Sequence, residues 1–443
     1  MGDEGGLAHM GEQFDVAVVG AGPAGSSAAA ILAEKGVKTV VFERGEYPGA
    51  KNMSGGVLYG HDLARIVPDF AERNCPIERN IVESQAWYLS ADGGYAVSFR
   101  DRVFEETLKF NSFTVGRAKF DRWFAEQAKS RGAFVVPATV VTDLLRDGGG
   151  RVVGLRTDRP DGDVYARVVL LADGINSPLA AKTGFRPEAA PEHVALAVKD
   201  VVELSEEAIN ERFHVEAGSG VTIEVLGVAT KGMDGIGVIY TNRSSLSVAI
   251  GANLSDFMTH KVRPYEMLEE FKTHPRVAPL VKGGRPREYM AHWIAEAGYD
   301  AIPRLCGDGY LIAGDSGMLF NALHREGSNM AMTSGRFAAE AIVEAMERGD
   351  FTRDGLDGYT SRLQGSYVMA DLRKYRGFNG FRLRHHELFT TLPEAAGYAA
   401  RQMLTVDGTP KKLKQRAIRA RILRDIPLLR LLRLLWEGWR SVK

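Results

Sequence analysis

A doubly wound, Rossmann-like parallel α/β sheet, joined to a β-rich second part and a helical C-terminal segment, is the fold class this chain predicts, on three observations. Residues 14–19 are apolar and β-branched and run directly into Gly20-x-Gly22-x-x-Gly25, a helix-forming stretch, and a second apolar strand ending on Glu43. Two later apolar runs, 170–177 and 310–316, deliver Asp173-Gly174 and Gly314-Asp315 at their ends. Between them, from about residue 193 to 295, the pattern changes to short alternating strands.

Each element follows from local chemistry. Residues 1–13 are a polar leader with no basic stretch followed by an apolar run, so no secretory signal is expected. The helix over 23–35 opens on Pro23 and stops at Gly36, and the strand 39–42 completes a βαβ unit. A helix is expected over 117–131, a strand over 134–136, and short strands over 151–157, 164–167 and 168–172. The β-rich stretch reads as strands 195–202, 213–216, 221–225, 237–240 and 246–250, interrupted by a helix over 264–274. One more buried strand, 310–313, precedes a long helix over 327–347.

The 443 residues are enough for two or three domains. The expected layout is a nucleotide-binding domain in three parts, 1–75, 101–190 and 301–350. An insert, 76–100, contributes to the β-rich substrate domain 191–300, and a helical region spans 351–443. With 45% hydrophobic and 25% charged residues the chain is neither disordered nor fibrous. Equal numbers of acidic and basic residues, 56 each, give no global signal for nucleic acid, and none is expected as a partner. Cys75 and Cys306 are the only cysteines, so a disulfide framework is not expected and a four-cysteine iron–sulfur cluster cannot form on this chain alone. No stretch is apolar enough to span a bilayer, and no metal constellation is seen; a cytoplasmic protein is expected. Residues 411–443 carry a charge of +9, the rest −9.

The glycines have separate tasks. Gly20 permits the tight turn, Gly22 lets a pyrophosphate approach the backbone, and Gly25 lets helix and strand pack closely. The helix N-terminus then meets phosphate with unpaired N–H groups. Glu43, eighteen residues after Gly25, is placed for ribose hydroxyls. The motif does not by itself separate NAD from FAD, and no second copy exists for a dedicated nicotinamide domain.

Residues 170–177 and 310–316 resemble the second and third flavin-contact segments of glutathione-reductase-type and p-hydroxybenzoate-hydroxylase-type flavoproteins. That resemblance implies FAD, with Asp315 on the ribityl chain and Arg117, before Phe120-Asp121, near the cofactor. Residues 48–60, 288–303 and 323–335 closely resemble the FixC family, relatives of the electron-transfer flavoprotein:quinone oxidoreductases. The likeness covers nearly the whole chain; residues 7–13 and the basic tail are less typical. It implies an FAD protein that takes electrons from an electron-transfer-flavoprotein-like heterodimer (FixA/FixB-like) and reduces a membrane quinone. It also implies a bifurcating assembly in which a ferredoxin-like FixX-type subunit carries the iron–sulfur cluster. The cofactor-binding set it implies is Gly20, Gly22, Gly25, Glu43, Arg44, Lys51, Asn52, Met53, Ser54, Gly55, Gly56, Arg117, Asp173, Gly174, Gly314, Asp315, Gly327, Asn329 and Met330.

Lys51, Asn52 and the Gly55-Gly56 pair suit the edge of a flavin, where donors stabilise an anionic reduced ring; they equally suit a flexible glycine-rich loop. His292 and Glu296, with Tyr299 nearby, are candidates to protonate a quinone carbonyl, or else buried polar groups bracing a domain junction. His324-Arg325 either neutralises the flavin edge or caps a helix, and His385-His386 is expected on a solvated helix. Residues 427–443 form an amphipathic helix with Arg430, Arg433, Glu437 and Arg440 on one side and Leu428, Leu431, Leu432, Leu435, Trp436 and Trp439 on the other. It would lie on the inner face of the cell membrane, or pack on its own domain or a partner subunit. The rival functions are a geranylgeranyl-reductase-type flavoprotein saturating polyprenyl lipids, an aromatic monooxygenase, and an assembly subunit with a structural FAD.

Overall fold

The computed structural model describes residues 13–443 except 54 and 297; the polar leader and Ser54 lie outside the described residues. Strands are β1 (Gln13–Val19), β2 (Thr39–Phe42), β3 (Gly56–Tyr59), β4 (Ile77–Ser90), β5 (Gly93–Arg100), β6 (Ser112–Val115), β7 (Phe134–Val136), β8 (Val141–Arg146), β9 (Val152–Thr157) and β10 (Asp163–Leu171). They continue as β11 (Val194–Glu203), β12 (Ser219–Gly227), β13 (Gly235–Thr241), β14 (Ser245–Asn253), β15 (Arg285–Ala295), β16 (Cys306–Gly307) and β17 (Tyr310–Ile312).

The first sheet has the order β16-β17-β10-β1-β2-β7, with β9 and β8 added beyond β10. Its centre is parallel: Val16 of β1 pairs with Val168 on one side and Thr39 on the other. Such strands are buried on both faces, which is why they read as continuous apolar runs. Helices α1 (Pro23–Glu34), α2 (Arg117–Lys129) and α5 (Ser328–Arg348) cover it, whereas α3 (Glu206–Phe213) and α4 (Pro264–Thr273) belong to the second sheet. The buried face of α1 is mostly alanine, and a Cβ on Gly335 would collide with the carbonyl of Ala24, so α1 and α5 approach nearly backbone to backbone.

The second sheet curls through β15-β11-β14-β13-β12-β4-β6-β3, with β5 on the edge of β4. Alternation sorts its faces. Val198, Val202, Val248 and Ile250 pack outward under α3 (Glu206–Phe213) and α4 (Pro264–Thr273), while Ala195, Ala197 and Lys199 face the first sheet across a cavity. β3 and β6 draw on residues near the nucleotide-binding segments yet belong to this second sheet.

Three local expectations are corrected. Residues 164–167 and 168–172 form one strand, β10, because no turn residue separates the two apolar runs. Residues 213–216 are not a strand: Ser205 caps α3, Ile209 and Phe213 bury at helical spacing, and the helix ends at His214 with φ 52°. His385 is not on a solvated helix. It follows α6 (Phe378–Arg384), is buried, and its two ring nitrogens face Glu387 at 3.2 Å and Glu437 at 3.1 Å.

The chain ends in α7 (Thr391–Leu404), α8 (Lys411–Asp425) and α9 (Leu428–Val442). The last helix is fastened to the protein through Glu437 and Leu434, with Arg430 and Arg433 largely exposed. Arg430 pairs with Glu387, Glu437 with Arg384 and His385, and Leu434 and Ser441 are buried beside them. Leu428, Leu429, Leu432, Leu435, Trp436 and Trp439 are exposed, and Leu431 is half-buried. Among the described residues no helix is long and apolar enough to cross a membrane.

Candidate functional site

A cavity of about 400 Å³ lies between the C-terminal ends of the first sheet and the inner face of the second. Open α/β sheets place ligands at this end because the loops there diverge. Gly20 has φ +98°, and a Cβ there would collide with the carbonyl of Ala172; a Cβ on Gly25 would strike the carbonyl of Gly20. A Cβ on Gly22 would meet nothing within 4 Å. Gly20 and Gly25 are therefore constrained by the fold, whereas Gly22 opens onto the cavity and exposes the N-terminus of α1.

At the end of β2, Glu43 accepts hydrogen bonds from the backbone N–H of Ala21 (3.1 Å) and Gly45 (2.7 Å), which fixes its carboxylate beside the glycine turn. Arg44 lines the same end. Beyond it, the 48–56 loop is fastened to α2. The Asn52 amide donates to Asp121, which also takes Arg117 in a two-pronged pair at 2.9 Å. Burial opposes the charge on Arg117, but Asp121 outweighs it and the guanidinium is held above its ordinary pKa. Asn52 thus anchors the loop, while Lys51, Met53, Gly55 and Gly56 line the cavity.

The third strand end brings Asp173 and Asp315. Asp173 accepts from the hydroxyls of Ser177 (2.8 Å) and Ser316 (3.0 Å). Asp315 has no side-chain hydrogen bond among the described residues, and burial pushes its carboxyl up to about 6 despite Arg117 and Arg186. Gly174, Gly314 and Gly327 line this wall with them, the last at the N-terminus of α5. Asn329 and Met330 do not line it. As the second and third residues of α5, they turn their side chains away from the cavity, Asn329 toward the Tyr367 hydroxyl and Met330 into the core.

The inner face of the second sheet supplies a flat platform. In register across the strands stand His292, Ala197, Gly251 and Ile236, then Met290, Lys199, Ala249 and Val238. Burial, reinforced by Arg117 and Arg44, pulls the His292 imidazole down to about 4, so it is neutral through the physiological range. Glu296, just past β15, borders the cavity but is paired with Arg382 of α6 at 2.9 Å, and Arg382 also grips Asp234 at 2.7 and 3.1 Å. Burial raises the Glu296 carboxyl, Arg382 draws it back and Asp234 raises it further. Arg325 closes one wall in an ion pair with Glu224, and His324 packs edge-on against Tyr375. Among the described residues no cluster of His, Cys, Asp or Glu could hold a metal ion.

Lys199, Tyr240 and the small residues of the platform escaped the sequence reading. Lys199 alone left a signal there, a lysine in the middle of an apolar strand; the others follow only from how the two sheets face each other.

The residues present fit a flavin dinucleotide. Open space at Gly22 beside a helix N-terminus suits pyrophosphate, spare lone pairs on Glu43 suit a ribose, and the half-buried carboxylate of Asp315, which lines the cavity without a side-chain partner among the described residues, suits hydroxyl donors.

The comparisons agree with this geometry. Residues 15–106 match the FAD dependent oxidoreductase family model, and residues 379–443 match the ETF-QO/FixC family C-terminal domain. The chain is 44% identical to the protein FixC of Azorhizobium caulinodans over 92% of this chain and 94% of that one. To the protein FixC of Azotobacter vinelandii it is 42% identical, over 98% and 100% of the two chains. In fold it is similar to a geranylgeranyl bacteriochlorophyll reductase-like protein of Thermoplasma acidophilum. The TM-score is 0.70 at 20% identity, covering 94% of this chain and 97% of that one. It is also similar to the flavin-dependent brominase Bmp2, with TM-score 0.64 at 15% identity over 92% and 93%. A cavity built for a flavin dinucleotide, and relatives of this identity along nearly their whole length, establish that the chain belongs to the FixC family of FAD-dependent oxidoreductases.

Proposed function

We propose that this protein accepts electrons from an electron-transfer-flavoprotein-like heterodimer and passes them to a quinone in the cell membrane. It would lie on the cytoplasmic face of that membrane, in a bifurcating assembly with a FixX-type iron–sulfur subunit. Bound FAD exchanges electrons singly or in pairs, the chemistry that joins a one-electron donor to a two-electron acceptor. The Gly20–Gly25 turn and α1 bind the pyrophosphate, Glu43 and Arg44 the adenosine ribose side, and Asp173 with Asp315 the ribityl side. Lys51 and the backbone of Gly55 and Gly56 meet the flavin edge. Neutral His292 donates one N–H to the acceptor carbonyl, and Glu296 braces the junction between the cavity wall and α6.

The observation that carries this reading is the orientation of α9. A helix stabilising its own domain would bury its leucines and leave its charges in water. Here Glu437 is drawn against the protein and Arg430, itself largely exposed, reaches Glu387, yet Leu428, Leu429, Leu432, Leu435, Trp436 and Trp439 remain in water, next to α8 with its seven Lys and Arg residues. That combination matches an anionic lipid surface, where a quinone reductase finds its acceptor. The test is to reduce the FAD-loaded protein anaerobically and add a short-chain quinone, or separately a geranylgeranyl lipid. Rapid reoxidation by quinone alone is expected; reoxidation by the unsaturated lipid alone would replace this reading with a polyprenyl reductase.

A further inference from the structure

Lys199 sits mid-strand in β11 on the cavity row Ala195, Ala197, Lys199, and is almost wholly buried. Its Nζ donates to the carbonyl of Gly55 at 2.6 Å and lies 5.5 Å from the centre of the Tyr240 ring. That carbonyl uses one of the three N–H groups an ammonium offers, which leaves two for whatever occupies the cavity. The groups facing it are known from each packed element. Arg117 of α2 opposes its charge, Glu288 of β15 favours it, β13 contributes the Tyr240 phenol, and β14 contributes only the Ser247 hydroxyl beside Gly55. Burial, aided by Arg117, brings the amine down to about 7, where it gains and loses a proton near neutrality. The other candidates are less suited. His292 is neutral above about pH 4, and Glu296 is engaged by Arg382.

We propose that Lys199 is the proton donor of this cavity, transferring a proton to a carbonyl oxygen of the acceptor as that acceptor is reduced. The proposal rests on the quinone reading above. Quinone reduction takes two electrons, supplied by reduced FAD, and two protons. At one carbonyl a Lys199 N–H bond breaks as the O–H bond forms; the neutral amine then regains its proton from water, the second carbonyl is protonated from solvent, and the proton that reduced FAD would lose on oxidation returns to solvent.

The test compares Lys199→Met and Lys199→Arg with the parent, reading FAD affinity and the pH dependence of reoxidation by a short-chain quinone. In the parent the rate should fall as pH rises through about 7. Lys199→Met should be slower by about a hundredfold at pH 6 and flat to pH 9. Lys199→Arg can still donate to Gly55 but cannot release its proton, so it should bind FAD like the parent and yet be slow and flat. Recovery of the parent rate and profile by Lys199→Arg would overturn the proposal in favour of a structural tether, as would a flat parent profile. Should the parent fail to reduce any quinone, the quinone reading falls. Lys199 is then judged from nuclear magnetic resonance of Cε-labelled lysines in the FAD-loaded parent, with its signal assigned by its absence in Lys199→Arg. Titration between pH 6 and 8 retains a proton-exchanging role, and a signal unmoved up to pH 9 overturns it.

Discussion

Replacing Trp436 and Trp439 together by serine should release the protein from anionic vesicles. The two rings are 54% and 56% exposed, and a tryptophan presents ~150–250 Å², so each leaves ~100 Å² to be withdrawn from water on contact with lipid. At ~25 cal/mol per Å² full insertion of both is worth about 5 kcal/mol. A helix lying in the headgroup boundary inserts to roughly half that depth. The loss is then about 2.5 kcal/mol, or roughly seventyfold in the partition coefficient. The assay is flotation with vesicles containing phosphatidylglycerol, at low and high salt, since the basic residues of α8 add a screened attraction. The substitutions touch no buried contact, so the unfolding midpoint should hardly move. Unchanged flotation by the folded double variant would refute the assignment of this face to lipid and leave it to a partner subunit.

Three further outcomes follow from the cavity. Gly22→Ala should fold normally but bind FAD ten- to a hundredfold more weakly, because its Cβ enters ligand space, whereas Gly25→Ala should fail to accumulate as holoprotein, because its Cβ meets backbone; the flavin-to-protein absorbance ratio separates the two. Arg382→Met leaves Asp234 and Glu296 buried without their shared cation and should cost about 3–5 kcal/mol in denaturant unfolding. Asp315→Asn should stabilise the cofactor-free protein at pH 7. The native carboxyl titrates at about 6 against 3.8 when unfolded, so the folded chain binds the extra proton in that interval and stability falls as pH rises through it. The gain is at most about 3 kcal/mol. It should vanish by pH 3 in paired thermal scans, and an equal gain at both pH values would mean that burial of the charge is not the cause.

The nucleotide end of the fold was legible because it is encoded locally. The Gly20–Gly25 spacing, the strand on either side and Glu43 all lie within a few turns of one another, and Gly20 and Gly25 answer to backbone neighbours, the Ala172 carbonyl just past β10 and the Gly20 carbonyl, while Gly22 faces open space. Asp173 and Asp315 were legible through the resemblance of their segments to flavin-contact segments of known flavoproteins, and they stand together because the parallel strands β10 and β17 end on the same edge. The side chains of Asn329 and Met330, second and third in α5, turn from the cavity because helical geometry carries successive residues around the helix, and the sequence does not mark which of them faces it. The roles open to His292 and Glu296 look alike in sequence, and they part only when α6 brings Arg382 to Glu296 from far along the chain.

The sequence by itself determined the α/β class, a dinucleotide-binding turn and the amphipathic character of the last helix, since period and spacing are properties of contiguous residues, while the choice of FAD rested on resemblance to known flavoproteins. Tertiary structure alone decided which face of that helix meets water, because the choice depends on His385 and Arg384 holding Glu437 and on Glu387 reaching Arg430, which leaves most of the leucines and both tryptophans outside. It also decided the chemistry of Lys199. A lysine in a strand is ordinary, and only the second sheet, closing over the loop at Gly55 and shutting out water, brings its proton within reach of neutrality.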